Sequence, residues 1–235
     1  ENMPFDKDVS LDPELLGKVF ENLLASYNPE TQQTARKQTG SFYTPREIVQ
    51  YMVDESLVTH LKRTVGNELE SEYRKLLDYA DNEILLTEQQ KLAIMQSLYN
   101  CKILDPACGS GAFPVGVLQQ MVHILKQIDP DNSRWKNMLL QFAIDETSEA
   151  YLNSTAEERR EAVADIERAF DENVNYPDYA RKLHLIENCI YGVDIQPIAI
   201  QISKLRFFIS LVIDQKRNNN PADNFGIRPM PNLEA

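Results

Sequence analysis

Residues 101 to 113 read Cys101-Lys102-Ile103-Leu104-Asp105-Pro106-Ala107-Cys108-Gly109-Ser110-Gly111-Ala112-Phe113, and their order of residue types sets the α/β reading of the chain. A short apolar run, Ile103 and Leu104, ends at the carboxylate of Asp105. Pro106 breaks the run, small residues follow from Ala107 to Gly111, and an apolar helical pattern then resumes. This predicts a strand, a tight loop and a helix. Small residues at such a turn let a ligand come close to the main chain, where the free amides of the first helical turn can meet it.

Two phosphate-binding readings fail on single residues. A dinucleotide fingerprint built on Gly109 and Gly111 needs a third glycine at 114, where the chain has Pro114, which also disfavours a nicotinamide oxidoreductase. A P-loop starting at Gly111 finds Gly116 but then needs Lys and Ser or Thr, and meets Val117 and Leu118.

The loop D-P-A-C-G-S-G-A-F resembles the S-adenosylmethionine loop, motif I, of DNA adenine N6-methyltransferases with the motif order X, I, II, IV. Two further stretches resemble the same class. Upstream, Gly40-Ser41-Phe42-Tyr43-Thr44-Pro45 is similar to motif X. Downstream, Tyr191-Gly192-Val193-Asp194-Ile195 is similar to motif II, and Leu16 to Leu24 matches a signature of large restriction-modification or phage-defence enzymes.

The resemblance implies an α/β fold with an S-adenosylmethionine-dependent, Rossmann-like sheet, incomplete here, carrying large helical N-terminal and inserted segments. It implies S-adenosyl-L-methionine as cofactor. Phe42, Tyr43, Thr44 and Pro45 would lie beside the methionine end, Asp105, Gly109 and Gly111 would meet the methionine portion, and Pro106, Ala107 and Ser110 would belong to the same cofactor-binding loop. Phe113 would wall the cofactor or join the core, Asp194 would accept the ribose hydroxyls, and Ile195 would pack on adenine. Cys108 reads as a small loop residue, since no basic neighbour in sequence would lower its pKa.

The residue types fit these roles. Thr44, Pro45 and Glu47 read as an N-cap, an N1 proline and the N3 partner of a capping box, and a helix N-terminus suits a carboxylate. Val49, Met52, Val53, Leu57 and Leu61 supply that helix with an apolar stripe. Cys189 to Ile195 reads as the second strand, ending near Asp194. A helix follows from Pro197, with Ile198, Ile202, Leu205, Phe208, Ile209 and Val212 along it.

The remaining elements read as packing. Asp12 and Pro13 open a helix through Leu16, Val19, Phe20, Leu23 and Tyr27, and Asn28 to Gln38 reads as a loop. Thr87 and Gln90 form a capping box ahead of Leu92, Met95, Leu98 and Tyr99. Thr155 and Glu158 form another ahead of Val163, Ile166 and Phe170. Trp135 reads as a core anchor. The expected organisation is a helical region over 1–100 and a partial cofactor domain over 101–235 with a helical insertion at about 131–183.

Composition bounds the partners. No stretch approaches the roughly 18 apolar residues of a membrane span, and the chain reads as cytoplasmic. Three cysteines and three histidines, widely spaced, do not spell a zinc site or a disulfide framework. A net charge of −12 places most of the grip on double-stranded DNA elsewhere in a parent enzyme. The catalytic motif IV, [DNS]-P-P-[YFW], does not occur, so the chain is expected to be a fragment that stops before it, with no catalytic residue of its own. An open sheet edge would allow pairing with a second copy. Alternatives left open are a methyltransferase acting on RNA, protein or a small molecule, and a non-catalytic scaffold.

Overall fold

The computed structural model describes residues 27–28, 33–34, 44–145 and 155–229. Phe42, Tyr43, and the helix and signature read over 12–26 lie outside these residues.

Tyr27–Asn28 (β1) pairs antiparallel with Gln33–Thr34 (β2). The sequence reading placed Tyr27 at a helix end and the following residues in a loop. Pro29 pushes Asn28 out of the helical region, and Tyr27 is extended beside it in the ladder to Gln33–Thr34.

Helix α1 spans Arg46–Thr64 and buries Val49, Val53, Leu57, Val58 and Leu61. It begins one residue later than its capping pattern predicts. Pro45 is the N-cap, without a side-chain cap bond, and its carbonyl accepts the amides of Ile48 and Val49. The Thr44–Glu47 capping box is therefore not formed, and Met52, read as part of the stripe, is half exposed.

Helices α2 (Glu70–Leu77) and α3 (Glu88–Tyr99) follow. The Thr87–Gln90 capping box at the start of α3 is present in both directions. Leu92 faces outward and Ile94 takes its place in the core beside Met95 and Leu98.

Strand β3 (Ile103–Asp105) leads through the glycine loop into α4 (Ala112–Ile128). Val117, Leu118, Met121, Val122 and Leu125 of α4 are buried as the periodicity predicts, and the helix stops at Asp129 before Pro130. A buried glutamine fastens the helices around it. Gln120 Nε2 donates to Asp54 Oδ1 of α1 at 2.6 Å and to the Leu77 carbonyl of α2 at 3.1 Å.

Helices α5 (Ser133–Ile144), α6 (Ala156–Ala169) and α7 (Asp178–Asn188) follow α4 before the second strand of the parallel sheet. Thr155 and Glu158 cap α6 reciprocally. Trp135 is fully buried, edge-on to His184 and Tyr99.

Strand β4 (Ile190–Gly192) then pairs parallel with β3, in the register Ile103 to Ile190, Leu104 to Tyr191 and Asp105 to Gly192. It is shorter than the run from Cys189 to Ile195 that reads as strand. Ile103 and Ile190 pack on the core, whereas Leu104 and Tyr191 face outward. Helix α8 spans Pro197–Val212, with proline in its first turn, and a short 3-10 helix covers Pro221–Gly226.

The chain is thus a mixed α/β structure, mostly helical. Its parallel sheet has two strands among the described residues. None of the described helices is long and apolar enough to cross a membrane.

Candidate functional site

The parallel pairing of β3 and β4 sets two carboxylates beside one loop. Val193 continues the ladder past Gly192: its amide donates to the Asp105 carbonyl at 2.9 Å, and its carbonyl accepts the Cys108 amide at 3.0 Å. The segment that carries Asp194, just past β4, is thereby fixed against the loop that follows Asp105.

Each carboxylate is committed to the main chain on one side. Asp105 Oδ1 accepts the Ala107 amide at 3.1 Å, an Asx turn that starts the loop. Its other oxygen, Oδ2, is buried and has no hydrogen-bond partner. Asp194 Oδ1 accepts the Gln196 amide at 2.8 Å, and Asp194 Oδ2 accepts the Gly109 amide at 2.9 Å. A carboxylate oxygen carries two lone pairs, so both oxygens of Asp194 keep accepting capacity.

The two glycines of the loop differ. Gly109 has φ +55° and open space where a side chain would stand. Gly111 has φ +85° and sits against α8, where an added Cβ would lie 2.4 Å from Ser203 Oγ. One glycine leaves room for a ligand, and the other lets a helix approach from behind. The Gly111 amide donates to the Cys108 carbonyl at 2.8 Å and closes the turn.

Helix α8 is turned differently from its apolar pattern. Its buried residues are Ala199, Ile202, Ser203, Arg206, Phe207, Ser210 and Leu211, while Ile198 and Leu205 of the predicted stripe are exposed. Close packing on the loop requires the small side chain of Ser203 at this contact. Arg206 Nη1 donates to the Ser110 carbonyl at 2.9 Å. The sequence reading missed Arg206 and Ser203; a charged residue spaced i, i+3 from a serine in an otherwise apolar helix was the available signal.

Ser110 is buried within the loop, and Pro106 and Ala107 are exposed at its front. Ile195 is 88% exposed beside Asp194. Cys108 is buried, its sulfur over Gly192, where an added Cβ would lie 2.9 Å from Sγ. Burial, with the charges of Asp105 and Asp194 adding to it, pushes the Cys108 thiol up to about 11. That is the behaviour of a packing residue and not of a nucleophile.

Phe113 lies partly buried against the core. It shares a cavity of about 410 Å³ with Met52, Val53 and His60 of α1 and with Asp105 and Pro106. Val49 of α1 lies 3.1 Å from where Gly116 would carry a Cβ, and His60 Nε2 lies 3.3 Å from the Ser97 carbonyl of α3. The N-terminal half of α1 therefore runs beside the loop end of β3. Thr44 and Pro45 precede that half and complete the described part of the motif X stretch.

Residues 11–67 match the N-6 DNA Methylase family. A Methanocaldococcus jannaschii protein that carries the name of a type II restriction enzyme and methyltransferase is 27% identical over 218 residues, which is 88% of this chain and 14% of that relative. The family and the relative are both named for methylation. The chain spans about one seventh of the length of the relative. No solved structure matches it.

Proposed function

We propose that these residues form the S-adenosylmethionine-binding part of an enzyme that methylates adenine N6 in double-stranded DNA, within a restriction-modification or phage-defence system. The observation that carries the reading is the convergence of Asp105 and Asp194 on one glycine loop from the ends of two parallel strands. Crevices at the carboxyl ends of parallel strands are where α/β sheets take ligands.

The residues present fit the cofactor. The buried, unpartnered Asp105 Oδ2 is an acceptor for an ammonium group, and an orphaned carboxylate oxygen is costly unless something donates to it. Gly109 leaves space beside the main chain. Asp194 retains lone pairs for a pair of hydroxyls, and the exposed Ile195 offers an apolar surface for a flat base. Pro106, Ala107, Ser110 and Gly111 shape the loop, Phe113 closes its α1 side, and the stretch through Thr44 and Pro45 leads into a helix whose first-turn amides suit a carboxylate. The Rossmann-like sheet belongs to this proposal as well, with β3 and β4 as its first two strands.

When bound, S-adenosylmethionine supplies the electrophilic methyl group. The chain's own residues hold the amino acid and ribose ends and order the loop. Extrusion of the target base from the duplex and capture of its amino group are assigned to motif IV and the DNA-recognition parts of the enzyme.

Titration of the full-length protein with S-adenosylhomocysteine tests the reading. Binding that is lost in Asp194→Ala and weakened in Asp105→Ala is the expected result. Binding unaffected by either substitution, or no binding by the wild type, overturns it.

A further inference from the structure

A buried arginine behind the loop is explained by neither the strand ends nor the hydrophobic core. Arg206 is 4% exposed, and burying a guanidinium is costly unless it is hydrogen-bonded. Its Nη1 donates to the Ser110 carbonyl at 2.9 Å, across 96 residues of sequence. Ser110 stands between two glycines with left-handed φ, where the backbone has few restraints of its own.

The peptide that joins Ser110 to Gly111 is held at both ends. Its carbonyl takes the Arg206 bond, and its N–H closes the turn onto the Cys108 carbonyl. One turn earlier on α8, Ser203 fills the contact against Gly111. The residue after Gly111 opens α4, and the amides of Ala112 and Phe113 lie in its first turn, where no intrahelical acceptor exists; Pro114 contributes none. The orientation of the Ser110–Gly111 peptide therefore sets where those two amides point.

We propose that Arg206 is a positioning residue for the ligand loop: from behind, and without meeting the ligand, it fixes the Ser110 carbonyl and so presents the loop and the first amides of α4 to an adenosyl amino acid. The ligand part of the proposal rests on the function proposed above. The loop part rests on the geometry alone.

The test uses the full-length protein with Arg206→Met and Arg206→Lys. Two readouts are taken: affinity for S-adenosylhomocysteine, and the alkylation rate of Cys108 followed peptide by peptide, with Cys101 and Cys189 as references. All three thiols are buried, so a global loss of structure accelerates all three, whereas a loosened loop accelerates Cys108 alone. Arg206→Met is expected to weaken binding at least tenfold and to accelerate Cys108 selectively. Arg206→Lys, whose ammonium keeps the charge but loses the planar fork, is expected to recover only part of both losses and to lie between wild type and Arg206→Met.

Arg206→Met with wild-type affinity and wild-type Cys108 labelling overturns the proposal. If Arg206→Met does not fold, Arg206→Lys decides: a severalfold weaker affinity with selective Cys108 labelling supports the proposal, and no change in either overturns it. If the wild type binds no S-adenosylhomocysteine, the ligand part falls with the proposed function, and selective Cys108 labelling in the variants still upholds the loop part.

Discussion

Asp194 Oδ2 accepts the Gly109 amide at 2.9 Å across 85 residues of sequence, so the end of one strand directly holds the loop that follows the other. Its second oxygen takes the Gln196 amide at 2.8 Å and shapes the entry into α8. A carboxylate so used is structural before any ligand arrives. Asp194→Ala is expected to destabilise the protein by about 1.5–3 kcal/mol, the range for hydrogen bonds to a charged group. Asp194→Asn, which keeps one acceptor oxygen, should lose less. Denaturant unfolding of both variants checks the order, and an alanine variant as stable as the wild type would show that the loop is held by other contacts.

The two loop glycines should separate folding from binding. At Gly109 an alanine meets only the cost of left-handed backbone, about 1–2 kcal/mol, but its methyl group enters the space assigned to the ligand. At Gly111 the same substitution adds a collision with Ser203 Oγ at 2.4 Å. Gly109→Ala should therefore fold and bind S-adenosylhomocysteine at least tenfold more weakly, while Gly111→Ala should be the less stable of the two. Adding Ser203→Gly to Gly111→Ala should recover part of that stability, a coupling expected only for residues in contact. Thermal unfolding of the three variants measures it.

Local rules carried the sequence reading where the structure is local. The Thr87–Gln90 and Thr155–Glu158 boxes close over three residues and form as read. The stripe of α4 points inward because that helix is packed on several sides. Thr44 and Glu47 carry the same motif, but the helix starts after Pro45 and leaves the box unformed. Helix α8 departs further, because its rotation is set by a loop some 90 residues upstream. The apolar residues Ile198 and Leu205 turn outward so that Ser203 and Arg206 can back the glycine turn. An apolar stripe identifies a buried helix, but it does not reveal which polar residues a distant turn will draw inward.

Cys108 provides a direct check on the chemistry of the loop. Its thiol is raised to about 11, first by burial, and its sulfur packs over Gly192. Cys108→Ser is expected to leave S-adenosylhomocysteine affinity within about threefold of the wild type, at a stability cost of roughly 1 kcal/mol for placing a hydroxyl at a packed site. A complete loss of methyl transfer with intact cofactor binding would instead assign the thiol a chemical role.

His184 gives helix α7 a pH signature. Its ring stacks on Tyr99 with centroids 4.7 Å apart and stands edge-on to Trp135 at 5.4 Å, while Asn188 Nδ2 approaches Nδ1 at 3.4 Å. Burial is the main reason that its pKa falls to about 4, with the charge of Lys102 adding to it. The folded protein thus holds His184 neutral at pH values where the unfolded chain has begun to take up a proton. Between the unfolded pKa, near 6.5, and the folded value the unfolded state binds more protons, so stability falls as pH drops through this window. Above pH 7 the contribution is constant, and across the window the loss is on the order of 3 kcal/mol. His184→Phe keeps an aromatic ring against Tyr99 and removes the titration. Its unfolding free energy should vary less between pH 7.5 and pH 5 than that of the wild type, and equal slopes in the two proteins would locate the acid sensitivity in other groups.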